Sequence, residues 1–365
     1  MLTAGIDLTA ARINQAGTGR YIRGLLEGFR QSNLPEPMGF ESPAWTTRKP
    51  GGRLAGRIQA LYRDVLWTPV QLPRKAVRAD IDVLHMPANV AAAASSCPQV
   101  VTILDTTVFD QGHSFKRWHH MVTRAGMCRA ARHASAILTI SEFSRGRIAA
   151  VLGIPLDRIT VTYCGCDASF RRLTDRQREH ERARSGWDEF MLTVGTIEPR
   201  KNLRTLLRAY ALMRREGYRG SLIHAGPKGW KSRDLDPLLS ELNLRDPVRF
   251  LGLVPDKTLV LLYNLATVVA YPSLMEGFGL PVLEAMACGA PVVAATGSSL
   301  EEVGGEAAIY AAPTDVEALA DALLHVASSP ALQASMAAAG PLRATQFSWA
   351  ECARRTQTVY EQVVS

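Results

Sequence analysis

In Tyr271-Pro-Ser-Leu-Met-Glu-Gly-Phe-Gly-Leu-Pro-Val-Leu-Glu-Ala-Met-Ala-Cys-Gly289, an apolar strand, a glycine loop and a helix follow one another. The strand, Val268–Tyr271, ends near Ser273, and the loop carries Glu276, Gly277, Phe278 and Gly279. Pro281 suits a first helical turn, where its missing N–H costs nothing. The helix runs over residues 281–288, and Gly289 can supply a left-handed stop. Unpaired amides at Gly279 and Leu280, helped by the helix dipole, favour an anion at this end. Glu284, one turn in, can accept two hydrogen bonds from a vicinal diol such as a ribose. Glu276 can do the same for another polyol.

The pattern repeats outward. Short Val- and Ile-rich runs at residues 2–6, 83–86, 100–104, 136–140 and 159–163 read as strands buried on both faces. Runs at 190–194, 221–225, 248–251, 268–271, 291–294 and 307–310 read the same way. Helical stretches lie between them, at 19–31, 141–152, 202–216, 235–242, 281–288 and 316–327. Alternating β and α implies parallel sheets. Two such series in 365 residues imply two doubly wound domains, 1–175 and 176–340, followed by a C-terminal helix within 341–365. The stretch 171–189 is charged and nearly free of large apolar residues, a linker or an exposed helix. In the tail, Phe347, Ala350, Ala353, Thr356, Val359, Tyr360 and Val363 fall near one helical face. Ligands of open α/β sheets bind beyond the carboxyl ends of the strands, so two facing sheets would make a cleft between domains.

Two further strand ends carry chemistry. In Val194-Gly-Thr-Ile-Glu-Pro-Arg-Lys-Asn202, Asn202 can cap the next helix. Arg200 and Lys201 put two cations where a pyrophosphate would lie. In Ile13-Asn-Gln-Ala-Gly-Thr-Gly-Arg-Tyr21, Gly17 and Gly19 let backbone approach a phosphate. Ile22 stands where a third Gly would complete G-x-G-x-x-G, and no acidic ribose ligand follows about 20 residues on, which disfavours a nicotinamide cofactor. Asp105 closes the strand VVTILD, and His85 ends another; each can face the cleft or be structural. Asp80, Asp82, Asp234 and Asp236 read as surface acids.

Composition excludes other classes. Hydrophobic residues make up 47% and charged residues 21%, enough for a large core and incompatible with global disorder. Six dispersed Cys, including Cys164 and Cys166, give neither a disulfide framework nor a CxxC zinc pattern. No secretory start or membrane-spanning run is present, so a cytoplasmic location is expected. Residues 1–175 hold 22 basic against 13 acidic side chains, while 176–365 hold 20 against 21, so the whole excess sits in the first half. It peaks at residues 115–133, where Lys116, Arg117, Arg124, Arg129 and Arg132 mix with Phe115, Trp118, Met121, Val122 and Met127. A basic amphipathic helix suits an anionic membrane surface or is a plain solvated face. No signature of nucleic-acid binding accompanies it.

EGFGLPVLEAMACGAPVV, GTIEPRKNL, LIHAGPKGW, FLGLVPDK, SSLEEVGG, GTGRY and ISEFSR together resemble the retaining glycosyltransferases of family 4, in particular the mannosyltransferase B-like group of bacterial O-antigen synthesis. The resemblance implies a GT-B fold: two facing Rossmann-like domains, the second for a nucleotide-sugar and the first for the acceptor. It implies no metal or cofactor, a lipid-linked or saccharide acceptor, and peripheral contact with the inner membrane face. It places Glu284 on the ribose, and Phe278, Gly279 and Leu280 near phosphates and sugar. Glu276 falls on donor-sugar hydroxyls, Lys201 and Arg200 on the leaving pyrophosphate, Gly17 on the β-phosphate, and Val254 near the base. The last helix would cross back onto the first domain. This chain departs from the family in three places. Thr196 stands where an Arg is common, Ala16 where a Gly is, and Leu104 where members carry a His beside the reacting sugar. Asp105 is the residue expected to take over from that His. The alternative raised by Leu104 and Thr196 is a nucleotide-sugar-binding protein with reduced catalysis.

Overall fold

A computed structural model of the chain describes residues 2–13, 17–43, 62–92, 95–110, 117–229 and 235–365. Ala16, Phe115, Lys116 and Asp234 lie outside them, as do the side chains of Arg117, Trp118 and Val122. The chain divides into two compact units. Unit 1 comprises Met1–Gly165 and Ser348–Ser365, and unit 2 comprises Cys166–Phe347. The division falls ten residues before the boundary read from the sequence, and the last segment belongs to unit 1.

Unit 1 holds β1 (Ala4–Asp7), β2 (Met38–Phe40), β3 (Val83–Met86), β4 (Gln99–Thr102), β5 (Ala136–Thr139) and β6 (Ile159–Val161). They form one parallel sheet in the order β2-β1-β3-β4-β5-β6. β3 and β4 are buried along their whole length, as strands covered on both faces are, with His85, Gln99 and Thr102 as polar residues among the apolar ones. β2 gave no such signal: three residues around a Gly, two of them exposed, hold an edge position through β1 alone. Among the described residues, helix 117–133 has its Arg124, Arg132 and Met121 exposed, and Arg124 lies over the Phe109 ring.

The helix Trp349–Val364 packs on Gly17–Gln31 within unit 1. Gly24 and Gly28 make the contact possible, because a Cβ at either would collide with Trp349. The buried face is Trp349, Cys352, Ala353, Thr356, Val359 and Tyr360. Ala350 and Val363 sit at its margin, and Phe347 belongs instead to unit 2. Tyr360 reaches His85 Nδ1 at 2.6 Å, His85 Nε2 meets Thr102 Oγ1 at 2.7 Å, and Thr102 Oγ1 meets Tyr21 at 3.1 Å. His85 is fully buried, and that burial lowers its pKa to about 3, so the neutral ring bridges two hydroxyls. It is a core residue rather than a cleft residue. Tyr360→Phe will leave one ring nitrogen unpaired and lower stability by about 1–3 kcal/mol. Urea unfolding measures this, and an unchanged midpoint would refute the role.

Unit 2 holds β7 (Phe190–Val194), β8 (Ser221–Ala225), β9 (Val248–Gly252), β10 (Val268–Tyr271), β11 (Val292–Ala295) and β12 (Ile309–Ala311). The order is β12-β11-β10-β7-β8-β9, all parallel. Counted from β7 this is the 3-2-1-4-5-6 arrangement, whose strand order reverses between β7 and β10. The charged stretch at the start of unit 2 is the helix Asp175–Ser185, with no buried residue and a Thr174–Gln177 capping box. Arginines fasten it: Arg178 donates to the Asn264 carbonyl at 3.0 Å and Arg182 to that of Leu265 at 2.9 Å. These are the last carbonyls of the helix Asp256–Leu265, which lack acceptor duty within it. Among the described residues no helix is long and apolar enough to cross a membrane.

Candidate functional site

The reversal of strand order in unit 2 is where a ligand is expected, beyond the carboxyl ends of β7 and β10. Both chain segments leaving those ends carry charge. After β7 the chain turns through Gly195 and a 3-10 turn, Pro199–Lys201. Asn202 then takes a left-handed conformation, φ 56°, which Asn tolerates better than most side chains. This corrects the expected cap. The Asn202 side chain does not bond the helix amides; its Nδ2 donates to the carbonyls of Pro272 (3.0 Å) and Pro313 (2.5 Å). It ties the turn after β7 to the loop after β10, and Leu274 N reinforces this by donating to the Arg200 carbonyl at 2.9 Å.

The tie brings Glu276 onto the two cations. Lys201 Nζ lies 2.6 Å from Glu276 Oε1, and Arg200 Nη1 lies 2.6 Å from Oε2. Arg200 also donates to the Met275 carbonyl at 3.0 Å and through Nε to Glu198 Oε1 at 3.0 Å. Lys201 donates to the Tyr271 hydroxyl at 2.6 Å, which in turn donates to Glu276 at 3.2 Å. Every member is mostly buried; the side-chain exposures are 19% for Arg200, 16% for Lys201, 8% for Glu198 and 9% for Glu276. Burial alone would raise the Glu276 pKa, but Arg200 and Lys201 outweigh it and hold the carboxyl at about 2. Burial lowers the Lys201 pKa, with Glu276 opposing. The group contains two cations and two carboxylates, so its charges cancel. The sequence reading treated Arg200 and Lys201 as a cationic pair apart from Glu276, and passed over Glu198 and Tyr271. A Glu two positions before the Arg and a Tyr closing the neighbouring strand were the available signals.

The adjoining helix is Leu280–Ala287, entered through Gly279 at φ 101°. That conformation favours Gly, and a Cβ there would also lie 2.5 Å from Leu300 Cδ2. Pro281 occupies the first turn, and the Gly279 and Leu280 amides precede the first residues with helical acceptors. Phe278 is buried against Phe347, ring centroids 5.7 Å apart. Glu284 is 3% exposed, and the Tyr263 hydroxyl donates to its Oε2 at 3.3 Å. Val254 is half-buried in the turn between β9 and the helix Asp256–Leu265.

The remaining expected residues lie in unit 1. Gly17 opens the helix Gly17–Gln31, and a Cβ there would meet nothing within 4 Å, so none of the described residues requires a glycine there. Asp105 does not close β4, which ends at Thr102; its Oδ1 accepts the Thr107 amide at 2.9 Å at the start of the short helix Thr107–Asp110. Leu104 is 8% exposed, with its amide on Asn89 Oδ1. Asp80, Asp82 and Asp236 are exposed, and Asp82 accepts the Thr3 amide. Among the described residues no three His, Cys, Asp or Glu side chains are gathered as a metal ion would need.

Two doubly wound parallel units, with charged side chains at the switch point of the second, make up the GT-B architecture. The chain belongs to the glycosyltransferases, with residues 17–170 matching Glycosyltransferase Family 4 and residues 175–343 matching Glycosyl transferases group 1. It is 39% identical over 231 residues to O-antigen chain mannosyltransferase B of Escherichia coli. The match covers 62% of this chain and 61% of that protein, less than two thirds of the relative. Among solved structures, sucrose-phosphate synthase from Thermosynechococcus elongatus has a TM-score of 0.77 at 20% identity, over 100% of this chain and 99% of that one. HepE of Anabaena, in complex with UDP-glucose, has a TM-score of 0.77 at 18% identity, over 99% and 100%.

Proposed function

We propose that the chain transfers a hexosyl group, mannose by its likeness to the Escherichia coli relative, from a nucleoside diphosphate sugar. The acceptor is a saccharide or lipid-linked saccharide in surface polysaccharide assembly, and the anomeric configuration is retained. The observation that carries this reading is the buried Glu276–Arg200–Lys201 group at the switch point of unit 2, beside the first turn of Leu280–Ala287. Departure of a nucleoside diphosphate builds negative charge on the phosphates. Arg200, Lys201 and the Leu280 amide can take up that charge, and each well-placed donor is worth about 3–4 kcal/mol in the transition state. Glu276, within reach of the same cations, can then hold hydroxyls of the sugar, and Glu284 a ribose diol. The scheme draws on these two side-chain cations, for which a pyrophosphate competes with Glu276, and calls on no metal. The UDP-glucose bound to HepE agrees with a nucleotide-sugar donor. Exposed Arg124, Arg132 and Met121 support peripheral contact with an anionic membrane.

The test is donor hydrolysis and binding across a panel of nucleotide-sugars. One donor, GDP-mannose first, is expected to bind and to be hydrolysed slowly without acceptor. If no nucleotide-sugar binds, the reading fails.

A further inference from the structure

A diphosphate that displaces Glu276 takes over its two contacts, one on Arg200 Nη1 and one on Lys201 Nζ. What else each cation touches then decides whether it stays where Glu276 left it. Arg200 divides its donors between two partners. Nη1 serves Glu276 at 2.6 Å and the Met275 carbonyl at 3.0 Å. Nε and Nη2, on the other edge of the guanidinium, lie 3.0 and 2.9 Å from one oxygen of Glu198. The backbone fixes that oxygen's anchor. Glu198 precedes Pro199 and is extended, φ −145° and ψ 157°, and its carbonyl accepts the Lys201 amide at 3.0 Å. Lys201 also has a second holder. Its Nζ donates to the Tyr271 hydroxyl at 2.6 Å and lies 4.9 Å from the centre of the same ring. Tyr271 is buried at the last position of β10, so its hydroxyl is a fixed point.

Charge and position make different demands here. Without ligand, Glu198 and Glu276 together balance Arg200 and Lys201. A bound diphosphate brings at least the negative charge that Glu276 takes away, so Glu198 is then not needed as an anion. An acceptor in a fixed place is still needed. Long cationic side chains with no second contact spread over many rotamers, and that freedom is lost when they close on a phosphate. Donors already held in place bind and stabilise developing charge without that loss.

We propose that Glu198 and Tyr271 are positioning residues, which hold Arg200 and Lys201 in place when a nucleoside diphosphate displaces Glu276. This rests on the donor reading above and adds to it two residues that act through the cations.

Two substitutions separate position from charge. Glu198→Gln keeps the length and an acceptor oxygen and loses the charge. Glu198→Asp keeps the charge and withdraws the oxygen by one methylene. Calorimetry on the full chain with GDP, GMP, UDP and UMP gives each protein's preference for diphosphate over monophosphate. A misfolded loop would weaken both nucleotides, whereas a loosened cation lowers the preference. Glu198→Gln is expected to match or exceed the wild-type preference, and Glu198→Asp to fall about tenfold or more below it. Tyr271→Phe, which keeps the ring, is expected to fall by about tenfold as well. The reverse ranking of the two Glu198 variants would make that residue a counter-charge and overturn its role, as would an equal loss in both. Should Glu198→Gln not fold, Glu198→Asp decides alone, and a wild-type preference in it overturns the role. An unaltered preference in Tyr271→Phe overturns the role of Tyr271. A wild type that binds neither diphosphate refutes the donor reading itself, and this proposal with it. Diphosphate binding with the wrong ranking refutes the positioning roles alone.

Discussion

Glu276→Gln will lower turnover by about a hundredfold or more while nucleoside diphosphate binding is kept or tightened. The sign of the second effect follows from the ion group. Glu276 occupies Arg200 and Lys201 at 2.6 Å each, so an arriving pyrophosphate has to compete with it for both cations. Removing the carboxylate charge removes the competitor. The same change leaves two buried cations underpaired, which destabilises the fold by about 3–5 kcal/mol. Nucleoside diphosphate should therefore raise the Tm of the variant more than that of the wild type. The acid limb gives an independent check. Glu276 falls from an ordinary 4.5 to about 2 in the fold. A depressed carboxylate pKa contributes stability that is complete above the unfolded value and lost as pH falls through the folded one. The stability difference between wild type and Glu276→Gln should thus hold above pH 5 and shrink from about pH 4.5 to about pH 2, by about 3 kcal/mol. A variant with full turnover, or one that loses nucleoside diphosphate binding along with turnover, would remove Glu276 from the role given to it.

The parts of the molecule read most directly from sequence were those whose signals are local. Val268–Tyr271, the loop through Gly279 and the helix from Leu280 each carry their own cue: a buried β-branched run, a glycine at positive φ and a proline in the first turn. What escaped depended on side chains that meet through the fold. Nothing local to Pro199-Arg-Lys201 announces that Glu276, some 75 positions on, will neutralise both cations, because that contact exists only once β7 and β10 pair. Asn202 read as a helix cap because its position and type fit one; its side chain instead spans two loops that are remote in sequence. His85 had the strand-end position of a cleft residue, yet the partner that makes it structural, Tyr360, lies 275 residues away. Asp105 read as the end of a strand, yet its carboxylate accepts the Thr107 amide at the start of a short helix, a turn that the apolar run before it does not announce.

Glu284→Ala should abolish the ability of the protein to tell a ribose nucleotide from its 2′-deoxy counterpart. Glu284 sits one turn into Leu280–Ala287, 3% exposed, with the Tyr263 hydroxyl 3.3 Å from Oε2. A carboxylate has lone pairs on both oxygens and can accept more than one donor, so a diol can add to this contact. Each hydrogen bond to a charged acceptor is worth about 1.5–3 kcal/mol. Loss of both would weaken nucleoside diphosphate binding by about two orders of magnitude or more. A structural role for Glu284 would also weaken binding, through misfolding of the helix, so affinity alone does not discriminate. Ligand truncation does. In the wild type, removing the 2′-hydroxyl deletes one of the two bonds and should weaken binding at least about tenfold. In Glu284→Ala no such bond remains to delete, and the two nucleotides should bind alike. Tyr263→Phe separates the neighbour from the ligand, since it removes the hydroxyl at 3.3 Å and keeps the carboxylate, and should preserve the discrimination. Calorimetry with GDP and 2′-deoxy-GDP on the three proteins gives the answer. Equal ratios in wild type and Glu284→Ala would mean that the carboxylate supports the helix and does not touch the sugar.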